Sequence, residues 1–358
     1  MKEGKLTSDY DYELPHGRIA YYPIEHRDQS RLLIVPRDAP HFQHRHFLNL
    51  VDLLDPGDVV VVNESQVIPA RLLGTKPTGA PSEILLLRPY IESGQPSLLN
   101  AKLNDVKTWE ALVRPGGKLK PGRLVNIVPG FDVKIVAGAP GGVRIVKLLV
   151  EGSVQEALER HGHIPLPPYI EREDELLDRD RYQTVYARVP GSVAAPTAGL
   201  HFTSELLEAI NSKGVHRVAV TLDVGVGTFR PIEVYDPEDH EMHAESYFIP
   251  EESAMVINAA KKDGKRIWAI GTTVVRALES STFDGVLVTG NGTTDLFIKP
   301  GYSFQMVDCL VTNFHLPKST LLMLVAAFAG YDRTMDAYKE AIRENYRFYS
   351  YGDAMVID

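Results

Sequence analysis

The sequence predicts an α/β protein, with a mostly parallel sheet flanked by helices and an inserted small all-β barrel domain. Three observations predict it. After residue 153, short apolar runs alternate with amphipathic segments. Between about 67 and 150, strand-like runs follow one another with Gly/Pro turns and no convincing helix. The charge divides in the same region, with nine basic residues against three acidic ones from Lys102 to Lys147 in a chain of net charge −9. The expected division is a discontinuous α/β catalytic domain, 1–66 plus 151–358, with a β-barrel domain inserted at 67–150.

In chain order, 32–35 and 59–62 are apolar runs bounded by Pro and Gly, and read as buried strands. The runs 83–87, 109–113, 124–128, 133–136 and 143–150 are barrel strands, separated by turns such as Arg114-Pro115-Gly116-Gly117. Residues 153–161 form a helix with Ser153 as N-cap. Residues 203–213 form an amphipathic helix that stops at Gly214. Residues 216–222 are a strand, 251–263 a helix ended by Gly264, and 266–270 a strand. Gly271-Thr272-Thr273 then leads into a helix over 274–280, and 320–329 and 335–343 are the last two helices.

The chain has 358 residues, 44% apolar and 24% charged. This is globular composition, long enough to bury a core without covalent staples. The single cysteine, Cys309, allows no internal disulfide and no Cys-ligated iron–sulfur cluster, which excludes radical chemistry of the three-cysteine kind. The first residues lack an apolar signal region, and the longest apolar run, 321–329, is far short of the ~20 residues that span a bilayer. A cytoplasmic protein with no membrane partner is expected.

Four segments carry candidate chemistry. Asp223-Val224-Gly225-Val226-Gly227-Thr228-Phe229-Arg230 follows a strand, and its glycines let backbone N–H groups approach a ligand. A tight turn explains them equally, and the dinucleotide fingerprint is incomplete. Pro196-Thr197-Ala198-Gly199-Leu200-His201 precedes a helix, with a histidine able to exchange a proton near neutral pH; a structural histidine beside a cap is the plain alternative. Gly271 to Arg276 is a strand–turn–helix whose hydroxyls lie where α/β sheets bind ligands, or simply cap the helix. Thr312-Asn313-Phe314-His315-Leu316-Pro317-Lys318-Ser319 concentrates donors, a base and a cation at the next junction. A buried connection would be cheaper if apolar, so a functional reading is favoured. Neither His41, His44 and His46 nor 241–245 has the spacing of a zinc site, and the three histidines read as a solvated loop. The run 345–353 interleaves aromatics with Arg347, either to stack on a base or to pack as a tail strand.

Together and in order these segments resemble the S-adenosylmethionine:tRNA ribosyltransferase-isomerase family of queuosine biosynthesis. The resemblance includes Asp11-Tyr12-Glu13-Leu14-Pro15, Ser30-Arg31-Leu32-Leu33, Pro69-Ala70-Arg71-Leu72, 163–170 and 181–187, and runs nearly the full length. Asn63-Glu64-Ser65 departs mildly from the expected Asn-Asp-Thr/Ser. The resemblance implies a monomer of two domains that uses neither metal nor cofactor. S-adenosylmethionine is consumed as co-substrate. Its ribosyl group is moved onto 7-aminomethyl-7-deazaguanine at the tRNA wobble position and rearranged to an epoxycyclopentanediol, giving epoxyqueuosine-tRNA with adenine and methionine released.

Set against that reaction, His201 or His315 is the expected general base, with Asp223 as runner-up. Arg71, Arg276 and Lys318 are candidates for tRNA or carboxylate contacts. Asn63, Thr228, Thr272, Thr273 and Asn313 suit nucleoside edges, and Gly199, Gly225, Gly227 and Arg230 complete the expected substrate site. Lys118, Lys120, Arg123 and Arg347 are the expected tRNA contacts. Two rivals remain at this level: an S-adenosylmethionine-dependent RNA methyltransferase, which the Gly225-Val226-Gly227 turn fits badly, and a non-catalytic RNA-binding protein built on the basic β module.

Overall fold

Val59–Asn63 is buried at every position. Its alternating side chains divide between two cores, because successive Cβ atoms leave a strand on opposite faces. Val59 and Val61 pack with Val220, Ile267, Ile257 and Leu278 on one face. Val60 and Val62 pack with Trp268, Phe202, Leu206 and Ile210 on the other. The computed structural model describes residues 4–90, 106–225 and 231–358. Within them this strand lies near the middle of a nine-stranded sheet. The strand order is Gly290–Thr294, Glu245–Ile249, His216–Leu222, Val59–Asn63, Ile267–Ile270, Cys309–Asn313, Ala354–Ile357, Arg31–Val35, Gln43–His46.

The sheet is mixed, which corrects the expectation of a mostly parallel one. The 59–63 strand is parallel to 216–222 and 267–270, 267–270 to 309–313, and 354–357 to 31–35. The other four pairings are antiparallel. A parallel neighbour needs a crossover connection. Between 309–313 and 354–357 the chain instead runs through two successive helices, Thr320–Ala329 and Tyr331–Arg343, and the next strand enters in the opposite direction. The expected helices at 153–161 and 203–213 are present as Val154–His161 and Ser204–Ser212, capped by the side chains of Ser153 and Thr203.

The six strands Arg71–Thr75, Pro81–Pro89, Thr108–Arg114, Leu124–Val128, Phe131–Gly138 and Arg144–Val150 close into an antiparallel barrel. Alternation builds it: Ile84 and Leu86, Trp109, Ala111 and Val113, and Val133 and Ile135 point inward and form one buried core. Val154 and Leu158 of the following helix join that core. Lys118, Lys120 and Arg123 stand exposed on the connection between two barrel strands.

The C-terminal aromatics pack inward. Tyr346, Phe348, Tyr349 and Tyr351 are all buried, and the last strand is internal to the sheet. Gln43–His46, expected as loop, is an edge strand whose four residues are exposed. Polar side chains on such an edge discourage pairing with other chains.

Asp58, at the entrance to the 59–63 strand, is 2% exposed. It accepts hydrogen bonds from Arg266 Nη2 (2.6 Å) and Trp268 Nε1 (3.0 Å), and so ties two central strands. Burial raises its pKa, but the hydrogen bonds from Arg266, the Asp55 backbone and Trp268 outweigh it and hold the carboxyl below its ordinary value. Its stabilisation is therefore present above the unfolded pKa and lost as pH falls through the folded one. Asp58→Ala leaves the buried Trp268 indole N–H unpaired and takes from the half-buried Arg266 its buried partner, so urea melts at pH 7 are expected to show a loss of about 2 kcal/mol. A loss below about 1 kcal/mol contradicts this role.

Candidate active site

A cleft of about 590 Å³ opens where the 267–270 and 309–313 strands end. This is the end of a sheet at which α/β proteins bind ligands. Gly271 turns the chain there with φ +96°, a conformation that favours glycine, and the helix Thr272–Ser280 starts immediately after it. Thr272, Thr273, Thr312, Asn313, His315, Thr197 and Ser350 give the cleft its polar lining. Tyr169, Phe314 and Tyr349 give it aromatic surface. Among the described residues no Asp, Glu, Lys or Arg lines it. The Thr273 hydroxyl is buried and makes no hydrogen bond among the described residues.

Asn313 organises the wall. Its Oδ1 accepts from Thr197 Oγ1 (2.8 Å), and its Nδ2 donates to the Tyr349 carbonyl and to His201 Nε2 (both 3.2 Å). Because Nδ2 is a donor, His201 Nε2 accepts and the ring proton sits on Nδ1, which faces Ser30 Oγ at 2.7 Å. Both nitrogens are thus occupied, and the ring stacks on Phe47 at 4.9 Å. Burial, followed by the charge of Arg347, pushes the His201 pKa down to about 3. His201 lies behind Asn313 and borders a second, smaller cavity.

His315 lines the main cleft itself. Tyr338 Oη accepts from its backbone N–H (2.8 Å), and Tyr12 Oη donates to its carbonyl. Its Nε2 pairs with Thr312 Oγ1 at 2.8 Å, and Nδ1 makes no hydrogen bond among the described residues. Burial lowers the pKa to about 3, so the imidazole is neutral at pH 7.

The remaining expected site residues separate into those at the cleft and those spent elsewhere. Asn63 bonds both backbone groups of Leu222 and is wholly buried. Gly199 packs so closely that a Cβ would stand 2.1 Å from Tyr186 Oη. Arg276 is buried and spends its guanidinium on Glu245 and on the carbonyls of Leu296 and Thr294. Glu245 in turn accepts from the Gly225 N–H at 2.9 Å, so Arg276 supports the glycine turn from behind. Arg71 pairs with Glu83 at the barrel, and Lys318 with Asp11 at 3.1 Å. Gly227, Thr228 and Arg230 lie outside the described residues. Tyr349 and Ser350, from the 345–353 run read as either base-stacking or tail, line the cleft, as does Tyr169; none of the three was among the expected site residues, since an aromatic in a Pro-rich loop or a tail carries no periodic signal.

Asp223 stands beside the cleft-lining Val224. Burial, then the neighbouring Glu245, raise its pKa to about 6. The sign follows directly. Because the folded pKa exceeds the unfolded value of roughly 3.9, this group's stabilisation is full at low pH and is lost as pH rises from about 4 through 6. Keeping this carboxylate ionised at pH 7 therefore costs about 1–3 kcal/mol. Asp223→Asn is expected to raise stability at pH 7 by that order, and to flatten the pH dependence between about 4 and 6, in denaturant melts taken at several pH values. A loss of stability at pH 7 would contradict the assignment.

Known proteins bear on this site over almost the whole chain. Residues 7–357 match the model of a family described as queuosine biosynthesis protein. A relative from Thermus thermophilus is 52% identical over 97% of this chain and 98% of its own length, and one from Symbiobacterium thermophilum is 50% identical over 98% and 99%. Both are named S-adenosylmethionine:tRNA ribosyltransferase-isomerase. The crystal structure of S-adenosylmethionine tRNA ribosyltransferase from Thermotoga maritima is 38% identical, covers 98% of this chain and 99% of its own, and aligns with a TM-score of 0.54. The family model over residues 7–357 and relatives about 50% identical over almost the whole of both chains make the conclusion plain: this chain belongs to the queuosine biosynthesis protein family.

Proposed function

We infer that this chain is an S-adenosylmethionine:tRNA ribosyltransferase-isomerase. It moves the ribosyl group of S-adenosylmethionine onto 7-aminomethyl-7-deazaguanine at the tRNA wobble position. Epoxyqueuosine-tRNA is formed, and adenine and methionine leave. Family membership supports the reaction class. The observation that carries the reading to the site is the cleft with aromatic walls and, among the described residues, a polar lining free of charged side chains. Nucleosides are held by flat apolar surface and a few placed donors and acceptors, and this lining supplies both.

His315 is the general base in this reading. The sulfonium acidifies the adjacent ribose C5′–H, and the base must lie within hydrogen-bond reach of that proton. His315 lines the cleft, its backbone is clamped at both ends, and the Nε2–H tautomer would donate to Thr312 and leave the Nδ1 lone pair free. Asp223 supplies a carboxylate complementary to the sulfonium cation. Thr272, Thr273 and Asn313 address the nucleoside edges. The exposed Lys118, Lys120 and Arg123 of the barrel, together with Arg347, meet the tRNA. S-adenosylmethionine is the consumed co-substrate, and no metal or further cofactor is required. The working form is a cytoplasmic monomer, its α/β body formed by 1–66 and 151–358 and its barrel by 67–150. Among the described residues no helix is long and apolar enough to cross a membrane.

Incubation with S-adenosylmethionine and tRNA bearing the aminomethyl base is expected to release adenine and methionine, seen by chromatography, with the matching mass gain on the nucleoside. Release of S-adenosylhomocysteine instead would identify a methyltransferase and sink this reading. His315→Ala is expected to lower kcat by ~10²–10⁴-fold while S-adenosylmethionine still binds. Near-normal kcat would move the base elsewhere. Because His315 stays neutral down to about pH 3 and Asp223 protonates near 6, kcat/KM is expected to fall below about pH 6 while kcat at saturation holds. Equal acid limbs in both parameters would make Asp223 the base.

A further inference from the structure

Three arginines that are distant in sequence line the second cavity, a recess open to solvent: Arg27, Arg181 and Arg347. None of the three is ion-paired among the described residues. Their guanidinium groups are held by backbone carbonyls instead. Arg27 donates to Gln183 and Asp180, Arg181 to Ile24 and Glu25, and Arg347 to Tyr22 and Tyr351. Carbonyls fix the geometry of a guanidinium without cancelling its charge. The Nε–H of Arg181 is buried with no hydrogen-bond partner among the described residues. Burial lowers the pKa of both Arg27 and Arg347, Arg181 adds to it at Arg27, and Asp180 and Asp353 offset it only in part. Among the described residues no Asp or Glu lines the recess, so its lining is cationic and suits an anion.

The cavity has two further attributes. It shares Ser350 with the main cleft. Beside it lie Tyr21 and Tyr22, 40% and 47% exposed, with the Arg172 guanidinium 4.2 Å from the Tyr22 ring. Exposed aromatics next to a cationic recess are the combination that holds a single-stranded nucleic acid, with rings for bases and arginines for phosphate.

We propose that the Arg27–Arg181–Arg347 cavity is a phosphate site that receives a backbone phosphate of the substrate tRNA close to the nucleotide being modified, with Tyr21 and Tyr22 as the adjoining stacking surface. This rests on the tRNA reading above and adds where the RNA backbone is gripped. Planar guanidinium forks suit the oxygens of a phosphate. Shared lining with the cleft would let one strand occupy both.

The test measures tRNA affinity by fluorescence anisotropy across a salt series for the wild type, Arg181→Gln/Arg347→Gln and Arg347→Lys, with circular dichroism melts and calorimetric S-adenosylmethionine binding alongside. The double variant is expected to bind tRNA about tenfold more weakly. Its log–log salt slope should be shallower by about 0.7 per lost phosphate contact, with S-adenosylmethionine affinity held. Arg347→Lys, which keeps the charge and perturbs packing least, is expected to retain the slope with a smaller loss of affinity. An unchanged slope in the folded double variant overturns the proposal. So does a melting temperature raised by inorganic phosphate in the wild type but not in the double variant while the slope stays unchanged, because the anion is then a free one. Should the double variant fail to fold, Arg347→Gln alone is measured against Arg347→Lys, and equal slopes overturn the proposal. If the wild type binds no tRNA, the functional reading falls and this proposal falls with it, an outcome told apart because it precedes any substitution.

Discussion

One buried amide holds the site together. Asn313 sits at the end of a central strand and makes three hydrogen bonds, to Thr197, to His201 and to the carbonyl of Tyr349. Thr197 and His201 belong to one turn far earlier in the chain and Tyr349 to the C-terminal tail, so the strand end, the turn and the tail meet at this amide. In a dry interior each bond is strengthened, and each unmade bond is expensive. The amide therefore selects one arrangement of three segments that share no local structure. It also fixes the tautomer of His201, and through it the contact to Ser30. The wall of the cleft is rigid because its polar groups have no other way to be satisfied.

Against that wall, the groups left unsatisfied become informative. A buried threonine hydroxyl without a partner, a carboxyl whose pKa is raised to about 6, and arginines facing one another across a cavity all work against folding. Arg276 shows the contrast. It is more deeply buried than the cavity arginines, yet its guanidinium is matched by Glu245 and two carbonyls, and its effect on the site is indirect, through the Gly225 turn. Residue type alone does not separate these cases. Whether the charge is compensated does.

That distinction explains how much was legible beforehand. The barrel was visible because short strand-like runs such as 83–87 and 109–113 follow one another with Gly/Pro turns and no helix between them. The helices over 153–161 and 203–213 were visible because their caps are local. Sheet direction was not, because it depends on how many helices separate two strands and on where the tail inserts. The cleft residues in 272–273 and 312–315 lay at readable strand-to-helix junctions. The fate of Asn63, Gly199 and Arg276 was set by partners distant in sequence. Arg27 and Arg181 carried no signal at all, since arginines so far apart in sequence meet only after folding.

The separation of charge completes the picture. Coulomb energy between a sulfonium and a guanidinium in a low-dielectric site would be repulsive by several kcal/mol at short range, so a site that must take both a cationic nucleoside and a polyanionic RNA cannot mix its charges. Here the described cleft lining carries no charged residue, Asp223 adjoins the lining Val224 in the chain, and the three arginines lie beyond the Asn313–His201–Ser30 relay. A neutral His201 between them is required by the same logic. Protonated, it would add a fourth cation to the arginine side and lose the acceptor that Asn313 needs. Burial and the arginine charges that push its pKa to about 3 thus keep the relay in the one protonation state compatible with both cavities.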